Sequence, residues 1–197
     1  MTLMDRDLEL ALIARLKRAD GDAFDEVYAA FNPRLFNFLA RLSRRRDVAE
    51  ELLEETWLRV VSSASRLRED SRLAPWLFTI ARNLYVSYCR SRVLDYDLMS
   101  GLDLWPVHPP EPSPFEAAAA GELQQRVEAA LATLPATYRE VLLLVAFEGL
   151  TPAEAAVVCG GTPEAMRQRL SRARGLLARR LESSAAPSTT VLREVLP

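Results

Sequence analysis

Six of the eight basic residues between positions 123 and 182 are arginines crowded into 167–180, a window that holds no acid. An arginine fork donates two parallel hydrogen bonds, to a phosphate or to O6 and N7 of guanine. Gln168 and Ser171 interleave with this row and are short enough to reach base edges. The chemistry on offer is therefore recognition of nucleic acid. For catalysis the chain offers little. Its one histidine, His108, lies in a proline-rich stretch, Cys89 and Cys159 stand far apart without metal-ligand spacing, and no glycine-rich phosphate loop occurs. The expectation is a protein that is not an enzyme, with no cofactor and no metal. The two cysteines read as small core residues in a reducing compartment.

The elements that position the arginine row carry their own signals. Thr151-Pro152-Ala153-Glu154 combines a hydroxyl cap, proline at the first helical position and glutamate at the third, the pattern of a capping box. That short helix ends at Gly160-Gly161, and Thr162-Pro163 starts another. Two helices joined so tightly must cross steeply, and Ala155 and Ala156 are small enough to allow it. In the second helix Met166, Leu170, Ala173 and Leu177 recur at helical spacing and face a core. Arg167, Gln168, Ser171, Arg172 and Arg174 are left outside. Residues 151–174 thus read as a helix-turn-helix that docks on DNA.

The 197 residues are 49% hydrophobic with only seven glycines, and leucine and alanine dominate. The composition predicts an all-α fold of two small helical domains joined by an acidic, proline-rich linker. The boundaries fall at 1–92, 93–114 for the linker, 115–183, and 184–197 for a tail. In the first domain amphipathic periods begin at Leu8, run over 22–42 with Pro33 expected to kink the helix, and continue over 47–61 with Val48, Leu52, Leu53, Trp57, Val60 and Val61 on the buried face. After a polar loop, Pro75 opens another helix, with Trp76 and Ile80 read as core. Within 47–61, Glu50–Glu54 and Glu51–Glu55 make two acidic ridges at i and i+4. Net charge is −2, but residues 93–122 carry six acids and no base. No apolar run is long enough to span a bilayer, and the opening MTLMDRDLEL has neither a basic nor an apolar leader region, so no membrane insertion and a cytoplasmic location are expected.

A helix-turn-helix by itself leaves a stand-alone regulator or a docking module open. The segment LPATYREVLLLVAFEGLTPAEAAVVCGGTPEAMRQRLSRARGLL resembles region 4 of the sigma-70 family, closest to its extracytoplasmic-function (ECF) group. DVAEELLEETWLRVV from Asp47 resembles region 2.2, and PWLFTIARNLYVSYCRSR from Pro75 resembles regions 2.3 and 2.4. The resemblance implies a sigma factor whose partners are core RNA polymerase, through the β′ coiled coil and the β flap, and promoter DNA. It also admits an anti-sigma factor wedged between the domains. Glu50, Glu51, Glu54 and Glu55 would meet the β′ coiled coil. Arg167, Gln168, Ser171 and Arg172 would read the −35 element, with Arg174 on phosphate. Promoter opening needs aromatic shelves and backbone-directed cations for unstacked bases. The candidates are Arg66, Arg68 and Arg72 in the loop, then Arg82, Asn83, Tyr85, Tyr88, Arg90 and Arg92. The linker, with Asp95, Asp97, Asp103 and Glu111, would mimic nucleic acid in a polymerase channel. At Glu164-Ala165 the family commonly has Gly-Thr. Glu164 suits the helix dipole but would repel phosphate, which redirects or weakens −35 contacts.

Overall fold

The computed structural model describes residues 5–100 and 121–185, all helix and connecting turn. In the first group, α1 spans Arg6–Lys17, α2 Gly21–Ser43, α3 Arg46–Ser63 and α4 Leu73–Ser100, with a single 3-10 turn at Ala64–Arg66. In the second, α5 spans Glu122–Ala132, α6 Ala136–Leu142, α7 Pro152–Cys159 and α8 Pro163–Ala185. A π turn, Leu143–Phe147, prolongs α6.

Local chemistry accounts for the helix starts. Asp5 accepts from the Asp7 N–H and Asp20 from the Ala23 N–H, each at 3.1 Å, satisfying donors that a helix N-terminus leaves without an intrahelical partner. The helix α2 runs unbroken through Pro33 and ends at Arg44 in the left-handed region, φ 61°. Packing of α2, α3 and α4 builds the first core, where Phe38 meets Phe78 edge to face at 5.2 Å. The buried cluster continues from there through Leu131, Leu143, Leu144, Met166, Leu170 and Ala173 of the second group.

Two helices run past the positions at which the sequence pattern loses its period. The helix α4 continues to Ser100, past the linker start placed at 93. Residues 93–100 lose their apolar stripe but contain no glycine or proline, and loss of a buried face does not by itself stop a helix. At the other end α8 reaches Ala185. The proline-rich part of the linker, with Asp103 and Glu111, and the tail beyond 185 lie outside the described residues.

The two helical groups pack against each other. Helix α7 lies on α4, and α2 lies on α6 and its π turn. Polar contacts cross this face, among them Arg72 with Glu154 at 3.8 Å. Arg41 pairs with Glu128 at 2.7 Å, Arg34 with Glu148 at 2.8 Å and Arg82 with Glu140 at 2.9 Å. Each pair sets an arginine of the first group against a glutamate of the second. Arg139, 5% exposed, donates to the carbonyls of Leu131, Ala132 and Leu134 and, across the interface, to those of Arg41 and Leu42. Those last two belong to the C-terminal turn of α2, which has no helical donors left to offer them. Burial pulls the Arg139 pKa down to about 10, so the group stays a cation at neutral pH.

Candidate nucleic-acid and polymerase interface

The capping box at Thr151 is complete. The Glu154 N–H donates to Thr151 Oγ1 at 3.2 Å, and the Thr151 N–H donates to the Glu154 carboxylate at 2.9 Å. The turn follows from Gly160 at φ 66°, a conformation that costs glycine nothing. Thr162 Oγ1 then accepts from the Ala165 N–H at 3.2 Å and starts α8. Ala155 and Ala156 are fully buried where α7 crosses α8 and α4, which is the role that their size suggests.

On α8 the two faces separate as the spacing predicts. Met166, Leu170 and Ala173 are buried and Leu177 packs against them. Arg167, Gln168, Ser171, Arg172 and Arg174 are all exposed. They are not equally available. Glu164 Oε2 accepts from Arg167 at 2.6 and 3.1 Å, and Glu164 Oε1 accepts from Gln168 at 3.4 Å. Among the described residues Arg172 and Arg174 carry no ion pair, so the cationic row is strongest one turn further along the helix.

The nine residues expected at the opening strand divide into two sets. Arg66, Arg68, Arg72, Asn83, Arg90 and Arg92 are exposed. Arg68 forks onto Asp70, with both bonds at 3.0 Å, and Arg72 donates to Glu9 at 2.9 Å. Tyr88 is half-buried with the Arg92 guanidinium 5.4 Å from its ring centre, a cation–π contact. Arg82 and Tyr85 belong instead to the face that meets the second helical group. Arg82 holds Glu140, and burial beside Cys89 pushes the Tyr85 hydroxyl well up. Arg72 borders the same group, 3.8 Å from Glu154 of α7, so the contact with the second group takes in part of the set from both the loop and α4. Burial also raises the Cys89 thiol, and the Cys159 thiol up to about 12, which disfavours the thiolate at both positions.

On α3, Glu50 is tied to Arg46 and Glu55 to Arg59, while Glu51 and Glu54 are exposed and have no ion pair among the described residues. The sequence reading put Val61 on the buried face; the structure leaves it 62% exposed, with Leu58 at 66%. Glu51, Glu54, Leu58 and Val61 follow at spacings of three, four and three, so they share one face. It is acidic toward the N-terminus and apolar toward the C-terminus. The unburied leucine was legible in principle, since Leu58 falls four residues after Glu54 on the acidic ridge.

A steeply crossed helix pair with an arginine-bearing second helix, beside a separate bundle with an acidic-apolar ridge, defines a two-part helical DNA-docking protein with a surface for a protein partner. Residues 27–93 match the family model for sigma-70 region 2, and residues 124–177 that for sigma-70 region 4. The ECF RNA polymerase sigma factor EcfG of Rhodopseudomonas palustris is 34% identical over 154 residues, which cover 78% of this chain and 82% of that protein. RNA polymerase sigma factor CarQ of Myxococcus xanthus is 31% identical over 161 residues, covering 80% and 88%. Among solved structures, the sigma factor RpoE bound to the anti-sigma factor NepR from Bartonella quintana superposes with a TM-score of 0.68 at 29% identity, over 81% of this chain and 96% of that one. The chain belongs to the sigma-70 family, in its ECF group, and is an RNA polymerase sigma factor. Its regions 2 and 4 serve promoter recognition and transcription initiation by the polymerase.

Proposed function

We propose the following division of labour within that role. Helix α8 reads the −35 element, with Arg172, Ser171 and Gln168 toward the bases and Arg167 and Arg174 toward the backbone. The loop arginines Arg66 and Arg68, with Asn83, Tyr88, Arg90 and Arg92 of α4, meet the −10 strand. Glu51, Glu54, Leu58 and Val61 dock on the β′ coiled coil of core polymerase, and the second domain rests on the β flap. The protein acts in the cytoplasm with the polymerase and supplies no catalysis of its own. Its linker runs in a polymerase channel. Arg82 and Tyr85 join the −10 surface only when α4 and α7 part. An anti-sigma factor is a further proposed partner, since the RpoE relative is held by one.

The observation that carries this reading is the split of α8 into a buried Met166–Leu170–Ala173 stripe and an exposed polar row. Run-off transcription with core polymerase tests it. The protein should give promoter-specific transcripts, and Glu51→Lys with Glu54→Lys should abolish them along with core binding. Transcription that persists without core binding through α3 would overturn the assignment of that face. If binding to the −35 duplex alone accounted for all activity, a stand-alone regulator would be the better description.

A further inference from the structure

The loop before α4 is held almost wholly by one helix that no part of the functional reading uses. From α1, Lys17 pairs with Glu69 at 3.5 Å. Arg6 donates to the Asp70 carbonyl at 2.9 Å and to the Ser71 carbonyl at 2.8 Å. Glu9 accepts from Arg72 at 2.9 Å and from the Leu73 N–H at 2.8 Å. Arg6 and Glu9 are themselves paired at 2.8 Å. Every residue from 69 to 73 is thus tied to α1. Glu9 is 5% exposed, and its buried carboxylate is satisfied by two guanidinium groups and one backbone donor. The Leu73 N–H opens α4 and has no helical acceptor of its own, so Glu9 caps that helix from 64 positions away. The loop itself contributes little packing: between 65 and 72 only Leu67 is buried.

We propose that Arg6 and Glu9 are positioning residues for promoter opening. They fix the path of residues 69–73, and so the place where Arg66 and Arg68 stand relative to the first turn of α4. Arg72, neutralised by Glu9, works as a tether of this clasp and not as a DNA contact. Preorganised cations stabilise a strand only where it lies once opened, and a loop that wanders must be ordered at the strand's expense. The proposal rests on the reading that loop 66–72 meets the opened −10 strand.

The test compares Glu9→Ala, Glu9→Gln and Arg6→Ala in full-length protein with core polymerase. Core affinity, −35 duplex affinity and permanganate reactivity of −10 thymines are measured on fully paired and premelted promoters. Glu9→Ala should leave the two affinities within twofold and cut opening of paired promoter about tenfold, the scale of a lost charge-assisted hydrogen bond. A premelted bubble should restore most of the loss, and Glu9→Gln, which keeps an acceptor for Leu73, should lie between. If Glu9→Ala unfolds, Arg6→Ala, which removes only the grip on carbonyls 70 and 71 and one side of the pair, should show the same split more weakly. Opening at the wild-type rate, or a loss shared equally with core binding and the premelted template, overturns the proposal. Arg66→Ala and Arg68→Ala test the underlying reading separately. If they leave opening unchanged, the loop is not at the strand, and the clasp falls with it whatever Glu9→Ala does.

Discussion

Glu164 stands one turn ahead of Arg167 at the head of α8 and accepts two hydrogen bonds from its guanidinium, at 2.6 and 3.1 Å. The acid thus occupies the arginine that would arrive first at the DNA, and it also faces Gln168. On the proposed reading of α8 as the −35 helix, Glu164 acts as a brake on recognition. Replacing the brake should release one cation. Glu164→Gln is expected to strengthen −35 binding several-fold at low salt. It should also steepen the slope of log affinity against log salt by about one, the increment for one more phosphate contact. Fluorescence anisotropy over a salt series measures both. Arg167, chiefly by hydrogen bonding, holds the Glu164 carboxyl below its ordinary value of 4.5. The pair is thus complete above that ordinary value and is lost only as pH falls through the depressed one. The gain from Glu164→Gln should accordingly be the same at pH 8 and pH 5.5, and a gain that vanished at pH 5.5 would sink this account.

Arg172 is the arginine of the row best placed to read a base, being exposed and, among the described residues, without an acidic partner. Arg172→Ala should cost about 1–3 kcal/mol on the cognate −35 element if its fork holds guanine. The loss should fall on one base position and leave unrelated sequences almost unaffected. A uniform loss across all sequences, with a shallower salt slope, would place Arg172 on phosphate instead.

What could be read in advance followed the range of the interaction. The Thr151 capping box, the Gly160 turn and the two faces of α8 are set by residues within about a turn of one another, and local spacing reveals them. The clasp that joins the two helical groups depends on Arg34 and Glu148, or Arg41 and Glu128, which lie 114 and 87 positions apart. No periodicity marks such partners, and each looks like an ordinary surface charge in sequence. The partner of Arg82 was hidden for the same reason, since Glu140 is supplied by another helix. Val61 failed differently. An apolar residue at the edge of a stripe is either the last core position or the first residue of a partner's footprint, and only the packed neighbours decide.

The two turn glycines should behave differently. Gly160 has φ 66°, so Gly160→Ala forces a side chain into the left-handed region at a cost of about 1–2 kcal/mol. At Gly161 a new Cβ would lie 3.2 Å from Met166 Cε, the mobile end of a flexible side chain. Gly161→Ala should therefore be accommodated, with a change below about 1 kcal/mol. Thermal melts of the two variants would separate them, and equal destabilisation would mean that the turn's geometry is not what limits it.

The Arg82–Glu140 pair ties α4 to α6 across the face between the two helical groups, and breaking it should loosen their docking. Glu140 is nearly buried while Arg82 keeps part of its surface in water. Glu140→Ala leaves a partly buried cation without its counter-charge. Removing one partner of a buried pair costs about 3–5 kcal/mol, and the exposure of Arg82 places this case at the low end. Arg82→Ala should cost less, because it removes the more hydrated member. A double-mutant cycle should yield a coupling of about 0.5–3 kcal/mol. The free protein carrying Glu140→Ala should have a larger radius of gyration by small-angle X-ray scattering. Burial pushes the neighbouring Glu148 carboxyl up against the pull of Arg34. A raised folded-state value means that the folded protein takes up protons more readily than the unfolded chain. The charged form of Glu148 therefore costs stability as pH rises through that window and regains it as pH falls. Acidification therefore discharges the Glu148–Arg34 pair but leaves a neutral carboxyl that the folded state holds more readily than the unfolded chain. Scattering on the wild type should show no expansion as pH falls through the Glu148 titration, and expansion there ahead of global unfolding would contradict this linkage.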